Sequence, residues 1–182
     1  MTTNSRRNFI AKSLFAATGA AFSINSSASI FSFSEKTKRP IHAFTKCLQF
    51  LDYSEMAGVL VKHGFDGADL TVRQGGQVLP ENVETDLPKA MKALQNAGIG
   101  SNMITTGINN PEDPTTRNIL KTMANLGIQY YRMGNLKYDD KKSIPENLEV
   151  HKTTFKNLEK LNKEYGVTGN YQNHSGINVG GP

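Results

Sequence analysis

The stretches that decide the fold are His63-Gly64-Phe65, Ala97-Gly98-Ile99, Leu126-Gly127-Ile128 and Tyr165-Gly166-Val167. In each of them a helix-like segment ends on glycine, and a hydrophobic residue follows. Glycine at this position lets a helix stop in the left-handed backbone conformation. The four glycines recur at intervals of 34, 29 and 39 residues, which indicates a repeated helix–strand unit. The sequence therefore predicts parallel strands joined by helical crossovers.

The segments around these glycines predict the order β α β α β α β α β. We expect parallel strands, paired in chain order, at residues 41–46, 66–71, 100–105, 129–133 and 168–172. We expect helices to begin at Asp52 or Ser54, near Asp86, at Asp113-Pro114, and at the capping box Ser143-Ile144-Pro145-Glu146. Five parallel strands form either an open doubly wound sheet or the first part of an eight-stranded barrel. No G-x-G-x-x-G fingerprint follows the first strand, which favours the (β/α)8 barrel.

The amino terminus resembles an export signal. Ser5-Arg6-Arg7-Asn8-Phe9-Ile10 resembles the twin-arginine motif, and an alanine-rich apolar run over residues 11–24 follows it. This run is too short for a comfortable membrane span. We expect residues 1–28 to be a removable signal, 29–40 a polar linker and 41–182 the folded domain. The protein is then exported to the periplasm by the twin-arginine machinery, without a permanent membrane span; an ordinary secretory signal or an uncleaved anchor is the alternative.

The charge balance argues against a nucleic-acid partner. The 182-residue chain has a net charge of +5, but Arg6, Arg7 and Lys12 lie in the predicted signal. Without these three, 18 basic residues face 16 acidic ones, which does not indicate a large basic surface. Cys47 is the only cysteine, so an intrachain disulfide is excluded, and we expect it to be a small buried residue near the first strand.

Polar residues follow the predicted strands, where folds of this kind place their chemistry. The strand ends offer Lys46, Asp69, Arg73, Thr105, Thr106, Arg132, Gln172, Asn173 and His174. We expect Arg73 and Arg132 to bind substrate oxygens, and Lys46 to hold or protonate an oxygen. Gln172 and Asn173 suit hydroxyl groups, and His174 suits proton transfer or metal binding. The alternative for each arginine is a salt bridge at the rim, and for Asp69 a role in capping a loop or pairing with Arg73.

The series of motifs resembles the xylose isomerase-like TIM-barrel superfamily, and more closely its exported bacterial sugar phosphate isomerase/epimerase-type proteins. The matching pieces are 65–73 with Gly75-Gly76 and Pro80-Glu81, 86–90, 126–132 and 171–176. The resemblance covers Ile41 to the end of the chain. It implies a (β/α)8 barrel of which this chain holds about the first five strands, as the amino-terminal portion of a longer protein.

The resemblance also implies a reaction. Many members exchange an aldose for a ketose, or invert a carbon, by proton transfer next to a carbonyl that a divalent metal polarises. We expect Mn, Mg or Zn, with His174 as a ligand and the remaining ligands beyond the chain end. Two positions depart from the pattern, since Gln172 stands where a glutamate ligand and base is common and Gln77 where close relatives often have histidine.

Three functions follow from these observations. The first is a sugar or sugar phosphate isomerase or epimerase that acts on a small-molecule sugar. The second, favoured by Gln172, is a sugar-binding barrel without catalysis. The third is the apurinic endonuclease branch of the superfamily, against which export and the modest charge argue. A homo-oligomer is compatible with each of them.

Overall fold

The structure, a computed structural model, describes residues 39–180. The predicted signal and all of the predicted linker except Arg39 and Pro40 lie outside the described residues. The strands are β1 (His42–Phe44), β2 (Gly67–Val72), β3 (Gly100–Thr106), β4 (Tyr130–Arg132) and β5 (Thr168–Asn170). The helices are α1 (Tyr53–Lys62), α2 (Val83–Asn96), α3 (Pro114–Asn125) and α4 (Ile144–Tyr165). Short 3-10 turns occupy Thr45–Leu48 and Pro80–Asn82.

The five strands form one parallel sheet in the order β1-β2-β3-β4-β5. Strand order therefore follows chain order, whereas a doubly wound sheet changes direction part-way through. Each helix packs against the next helix along the chain. This arrangement confirms the predicted fold class, α/β with the first five strands and helices of a TIM barrel.

The glycine stops have the predicted geometry. Gly64, Gly98, Gly127 and Gly166 have φ between 67° and 80°. At each of them the following hydrophobic residue donates its backbone N–H to a carbonyl five residues earlier, for example from Ile128 to Met123 at 3.0 Å. These bonds satisfy carbonyl groups that the end of a helix would otherwise leave unpaired.

The helix starts are also capped as predicted. The Asp52 side chain accepts from the Glu55 backbone at 2.8 Å, and Glu55 returns a bond to the Asp52 backbone. Ser143 and Glu146 form the same reciprocal box at the start of α4. The second helix, however, begins at Val83 rather than near Asp86, because Val83 and Leu87 are both buried one turn apart. It therefore begins one turn earlier than predicted.

The core lies between the helices and the outer face of the sheet. Ala68, Leu70 and Val72 of β2 point outward into this layer and are fully buried. Tyr131 of β4 is also buried, and its hydroxyl donates to Asn162 Oδ1 of α4 at 3.0 Å. Gly169 makes room for it, since a Cβ there would lie 2.6 Å from the tyrosine oxygen. Among residues 39–180 no helix is both long and apolar enough to cross a membrane.

Candidate functional site

The inward face of the sheet carries the polar side chains. Strand residues alternate between two faces, so that Asp69 and Thr71 of β2 face inward while their neighbours enter the core. The strand register places side chains of the inward face in rows across the sheet. One row contains Phe44, Asp69, Met103, Tyr130 and Thr168. The next row, nearer the carboxyl ends, contains Thr71, Thr105, Arg132 and Asn170.

Asp69 is the buried acid of this face, with 8% of its surface exposed. Thr105 Oγ1 lies 3.0 Å from both of its carboxylate oxygens. Burial raises the pKa of Asp69, and the Thr105 hydrogen bond followed by the charges of Arg132, His42 and Arg73 partly offsets this effect. The carboxylate therefore lies in the field of nearby positive groups.

Arg132 and Arg73 provide two of these positive groups. The Nε of Arg132 is buried and has no hydrogen-bond partner in the part of the chain that the structure describes. Leaving a buried donor without a partner costs roughly 1–3 kcal/mol of folding free energy. A ligand oxygen that accepts a hydrogen bond from this nitrogen would offset that cost. The guanidinium of Arg73 lies over the ring of Phe44, with Cζ 5.9 Å from the ring centroid. We call Phe44, Asp69, Arg73, Thr105 and Arg132 the central cup.

The loop after β2 is held by Gln77. Its side-chain oxygen accepts from Thr45 Oγ1 at 2.8 Å and from Thr71 Oγ1, and its Nε2 donates to the Thr45 carbonyl at 2.6 Å. Tyr53 of α1 donates to the Gln77 carbonyl at 3.1 Å. Gly76 allows the tight turn, because a Cβ there would lie 2.6 Å from the Thr71 carbonyl oxygen. Gln77 thus fixes the loop that carries Arg73.

A cavity of about 400 Å³ with a mixed apolar and polar lining opens beside Arg73, between the loops after β2 and β3. Pro80, Ile108 and Ile119 contribute apolar lining, and the polar lining includes Asn109 and Asn110. We call this space the outer cavity.

The structure separates the predicted site residues into two groups. Arg73 and Arg132 lie at the central cup, where the positive charge of each lowers the pKa of Asp69. Lys46 is exposed on the 3-10 turn after β1. The strand β1 ends at Phe44 rather than at residue 46 because the chain turns at Thr45, whose hydroxyl bonds the Asp69 carbonyl and Gln77. The neighbouring Cys47 is exposed, so its predicted burial is wrong.

Gln172, Asn173 and His174 lie on an exposed segment after β5. We expected them at the end of a buried strand, but the strand ends at Asn170. The predicted strand therefore ends two residues too late, and these three side chains follow the observed strand in an exposed segment. His174 Nδ1 lies 3.3 Å from the Ser175 carbonyl and 3.5 Å from Asn178 Nδ2. None of the hydrogen bonds found within residues 39–180 joins His174 to the central cup.

The sequence did not identify Phe44, Thr71 or Gln77 as parts of the site. The available signal was strand alternation, since Phe44 and Thr71 occupy positions that face inward once the register is known. The resemblance marked Gln77 only as a departure from a common histidine, and its bond to Thr45 could not be foreseen because the two residues lie 32 positions apart.

The described residues do not by themselves fit a metal ion. Within residues 39–180, no three His, Cys, Asp or Glu side chains are grouped so that they could hold one. The carboxylate of Asp69 already accepts a hydrogen bond from Thr105, and it lies near positively charged side chains. The divalent metal stays a prediction.

The fold and site define an α/β chain of the barrel type with its polar groups on the inward face. No protein-family model matches the sequence. No curated protein sequence matches it. Among solved structures, the fold is similar to that of the 3-keto-D-glucoside 4-epimerase YcjR from E. coli in its apo form, with a TM-score of 0.60 at 12% sequence identity. The match covers 79% of this chain and 59% of that structure, so the chain spans about three fifths of its length. At this identity the similarity shows the fold.

Proposed function

We propose that the protein binds a sugar or sugar-like polyol at the central cup and acts as a sugar isomerase or epimerase by proton transfer next to a carbonyl. The observation that carries the proposal is the pair Arg73 and Arg132 near the buried Asp69, on the inward face of a fold shared with a sugar epimerase. Binding sites in such barrels lie at the carboxyl ends of the strands. Within the superfamily proposed from the sequence, this chemistry uses a divalent metal that polarises the carbonyl.

Each residue of the cup has a physical role in this proposal. Arg132 donates from its unpaired Nε to a substrate oxygen, and Arg73 holds a second oxygen. Asp69 accepts from Thr105 and places a negative charge near the two cations. Lys46 and His174 are the proposed proton-transfer groups, and Gln172 and Asn173 the proposed partners of hydroxyl groups. The reaction requires the exposed segment that carries His174 to approach the cup when substrate binds.

The second candidate function is a barrel that binds sugar without catalysis. The observation that favours it is Gln172, a neutral side chain where the resemblance often has glutamate, on a segment that lies exposed. A neutral amide cannot accept a proton in place of a carboxylate.

One experiment separates the two functions. The full-length protein is incubated in D2O with sugars that include a 3-keto-D-glucoside, and exchange of the proton next to the carbonyl is followed by proton NMR. Exchange supports the enzyme. Binding without exchange supports the non-catalytic barrel, and the absence of binding and exchange contradicts the proposal.

Two variants assign the roles if exchange occurs. His174→Ala should lower turnover about 10²–10⁴-fold, the usual contribution of general acid–base catalysis. Arg132→Ala should mainly weaken binding, by about 1.5–3 kcal/mol for a lost charged hydrogen bond. Arg117→Ala, which removes an exposed pair with Glu164, is the control and should change neither. Unchanged turnover in His174→Ala would show that this histidine is not the proton-transfer group.

Export remains a separate proposal. We infer from the twin-arginine motif that the protein acts in the periplasm, where its substrates would be sugars present outside the cytoplasm.

A further inference from the structure

We propose that the outer cavity binds a second sugar unit, so that the substrate of the central cup is a glycoside rather than a free monosaccharide. This inference rests on the proposed function and names its substrate class. The outer cavity borders the cup at Arg73, whose guanidinium lies over Phe44 and which also lines the cavity. A ligand held by Arg73 in the cup therefore has space to continue outward.

The size and lining of the outer cavity suit a hydroxylated ring. Its volume of about 400 Å³ lies within the usual range for small-molecule sites, which are roughly 300–1,000 Å³. Ile108 and Ile119 provide apolar surface and are 3% and 2% exposed. Sugars present apolar C–H surface as well as hydroxyl groups, so that a lining of both kinds matches them.

Free amide groups supply the polar contacts. Asn109 uses its Nδ2 to donate to the Asn135 carbonyl at 3.2 Å, and Asn110 uses its Oδ1 to accept from the Glu112 backbone at 3.0 Å. Within the residues described by the structure, Asn109 Oδ1 and Asn110 Nδ2 have no hydrogen bond. One acceptor and one donor are thus available, the pair of functions that a hydroxyl group can satisfy.

The charge of the lining disfavours an anion. Arg73 contributes one positive charge and Asp113 one negative charge. A phosphate or carboxylate in the cavity would meet the carboxylate of Asp113, which caps α3 by accepting from the Thr115 backbone at 2.9 Å. A neutral, hydroxylated group meets no such repulsion.

The loop that forms the cavity is already fixed in place. Thr106 Oγ1 donates to the Arg132 carbonyl at 2.8 Å and accepts from the Ile108 backbone at 3.2 Å. Thr116 of α3 bonds the Asn110 carbonyl at 2.8 Å. Gly134 packs so closely that a Cβ there would lie 2.5 Å from the Gly107 carbonyl oxygen. Because the loop is already ordered, ligand binding costs less free energy than it would if the loop had to become ordered first.

The test compares monosaccharides with their disaccharides by isothermal titration calorimetry on the full-length protein. The panel contains D-glucose, D-galactose, D-xylose and D-mannose, each with its β-1,4-linked disaccharide. We expect at least one disaccharide to bind about tenfold or more tightly than its monosaccharide. In Asn109→Ala and in Asn110→Ala the ratio of the two affinities should fall towards one. Asn125→Ala, at the far end of α3, is the matched control and should keep the wild-type ratio.

The outcomes are distinct. Equal affinity for each monosaccharide and its disaccharide, or an undiminished ratio in both asparagine variants, overturns the inference and leaves the proposed function intact. If the protein binds none of the panel sugars, the inference is overturned, whereas the proposed function is judged by the exchange experiment with carbonyl-bearing sugars.

Discussion

Asp69 is the buried acid of the central cup, with 8% of its surface exposed. It lies in the same row as the apolar side chains Phe44 and Met103, and water reaches little of it. Desolvation disfavours the charged form of a carboxyl, while a donated hydrogen bond and nearby cations favour it. The net effect is a raised pKa, so that burial outweighs Thr105 and the arginines.

Asp69→Asn should therefore remove a pH dependence of stability. A carboxyl with a raised pKa in the folded state contributes stability below its ordinary value of 3.8, and this contribution is lost as pH rises through the folded pKa. The asparagine does not titrate, and its oxygen still accepts from Thr105. The free energy of unfolding of the variant relative to the wild-type protein should thus increase with pH above about 4, as measured by urea unfolding at a series of pH values.

Asp140→Asn, an exposed substitution, is the control for the same measurement. It should follow the wild-type profile throughout. A difference between Asp69→Asn and wild type that decreases as pH rises would mean that the cations outweigh burial at Asp69.

At the residue scale, the sequence identified the polar strand ends but not their partners. Arg73 and Arg132 could be foreseen because each follows an apolar run at a predicted strand end. Thr105 and Asp69 were also in the predicted strand-end set. The bond between them depends on the register of β2 and β3, which brings together residues 36 positions apart. Register is set by packing and is not encoded in either strand alone.

At the scale of the elements, the four helix ends depend on one backbone conformation. Gly127 has φ 72°, and no atom lies within 4 Å of where its Cβ would be. The conformation, rather than space, therefore requires glycine at this position.

Gly127→Ala should destabilise the fold by about 1–2 kcal/mol, the cost of a left-handed conformation for a residue with a Cβ. Gly58→Ala is the matched control, since Gly58 lies inside α1 and also has open space around its Cβ position. There alanine should stabilise the helix by about 0.5–1 kcal/mol. Thermal or urea unfolding measures both variants. Equal effects of the same sign would contradict the assignment of the glycine stops.

Element type and order were predictable because glycine stops, caps and apolar stripes are local signals. Element ends were less so. The end of β5 was placed two residues late, since Tyr171 continues the strand pattern but its ring packs edge-on against Phe155, at 5.5 Å between centroids. Its hydroxyl also bonds the Val179 carbonyl at 2.9 Å. These contacts turn the chain away from the sheet.

At the scale of the whole molecule, the sheet of the described residues has two edges. Among residues 39–180, β1 pairs only with β2 and β5 pairs only with β4. The other side of each of these two strands therefore has no strand partner among these residues. The inward face also leaves Phe44 and Tyr130 exposed by 39% and 40%. Unpaired edges and exposed apolar side chains favour association.

We therefore expect the 182-residue chain, purified alone, to self-associate and to unfold without a sharp transition. Sedimentation velocity and thermal unfolding monitored by circular dichroism test this expectation. Secondary structure should persist, because each helix covers its strand. A monomer with a sharp two-state transition would show that five strands suffice for a cooperative fold.

The export proposal is tested on the whole precursor. Replacing Arg6 and Arg7 together by lysine should leave the precursor in the cytoplasm, because the twin-arginine pathway depends on the arginine pair. Cell fractionation followed by immunoblotting measures the distribution, with Lys12→Arg as the control that keeps the pair intact. Unimpaired export of the double variant would indicate the general secretory route.

The alternation of side chains along the strands also has an evolutionary consequence. Residues of the proposed central cup and residues of the core occupy adjacent positions, as Asp69 and Leu70 do on β2, but they face different surroundings. Selection for a new substrate can act on one set of positions while selection for foldedness preserves the other. The residues of the cup lie on several strands, each followed by its own helix. Substitutions on one strand can therefore accumulate while the other strands keep their sequence.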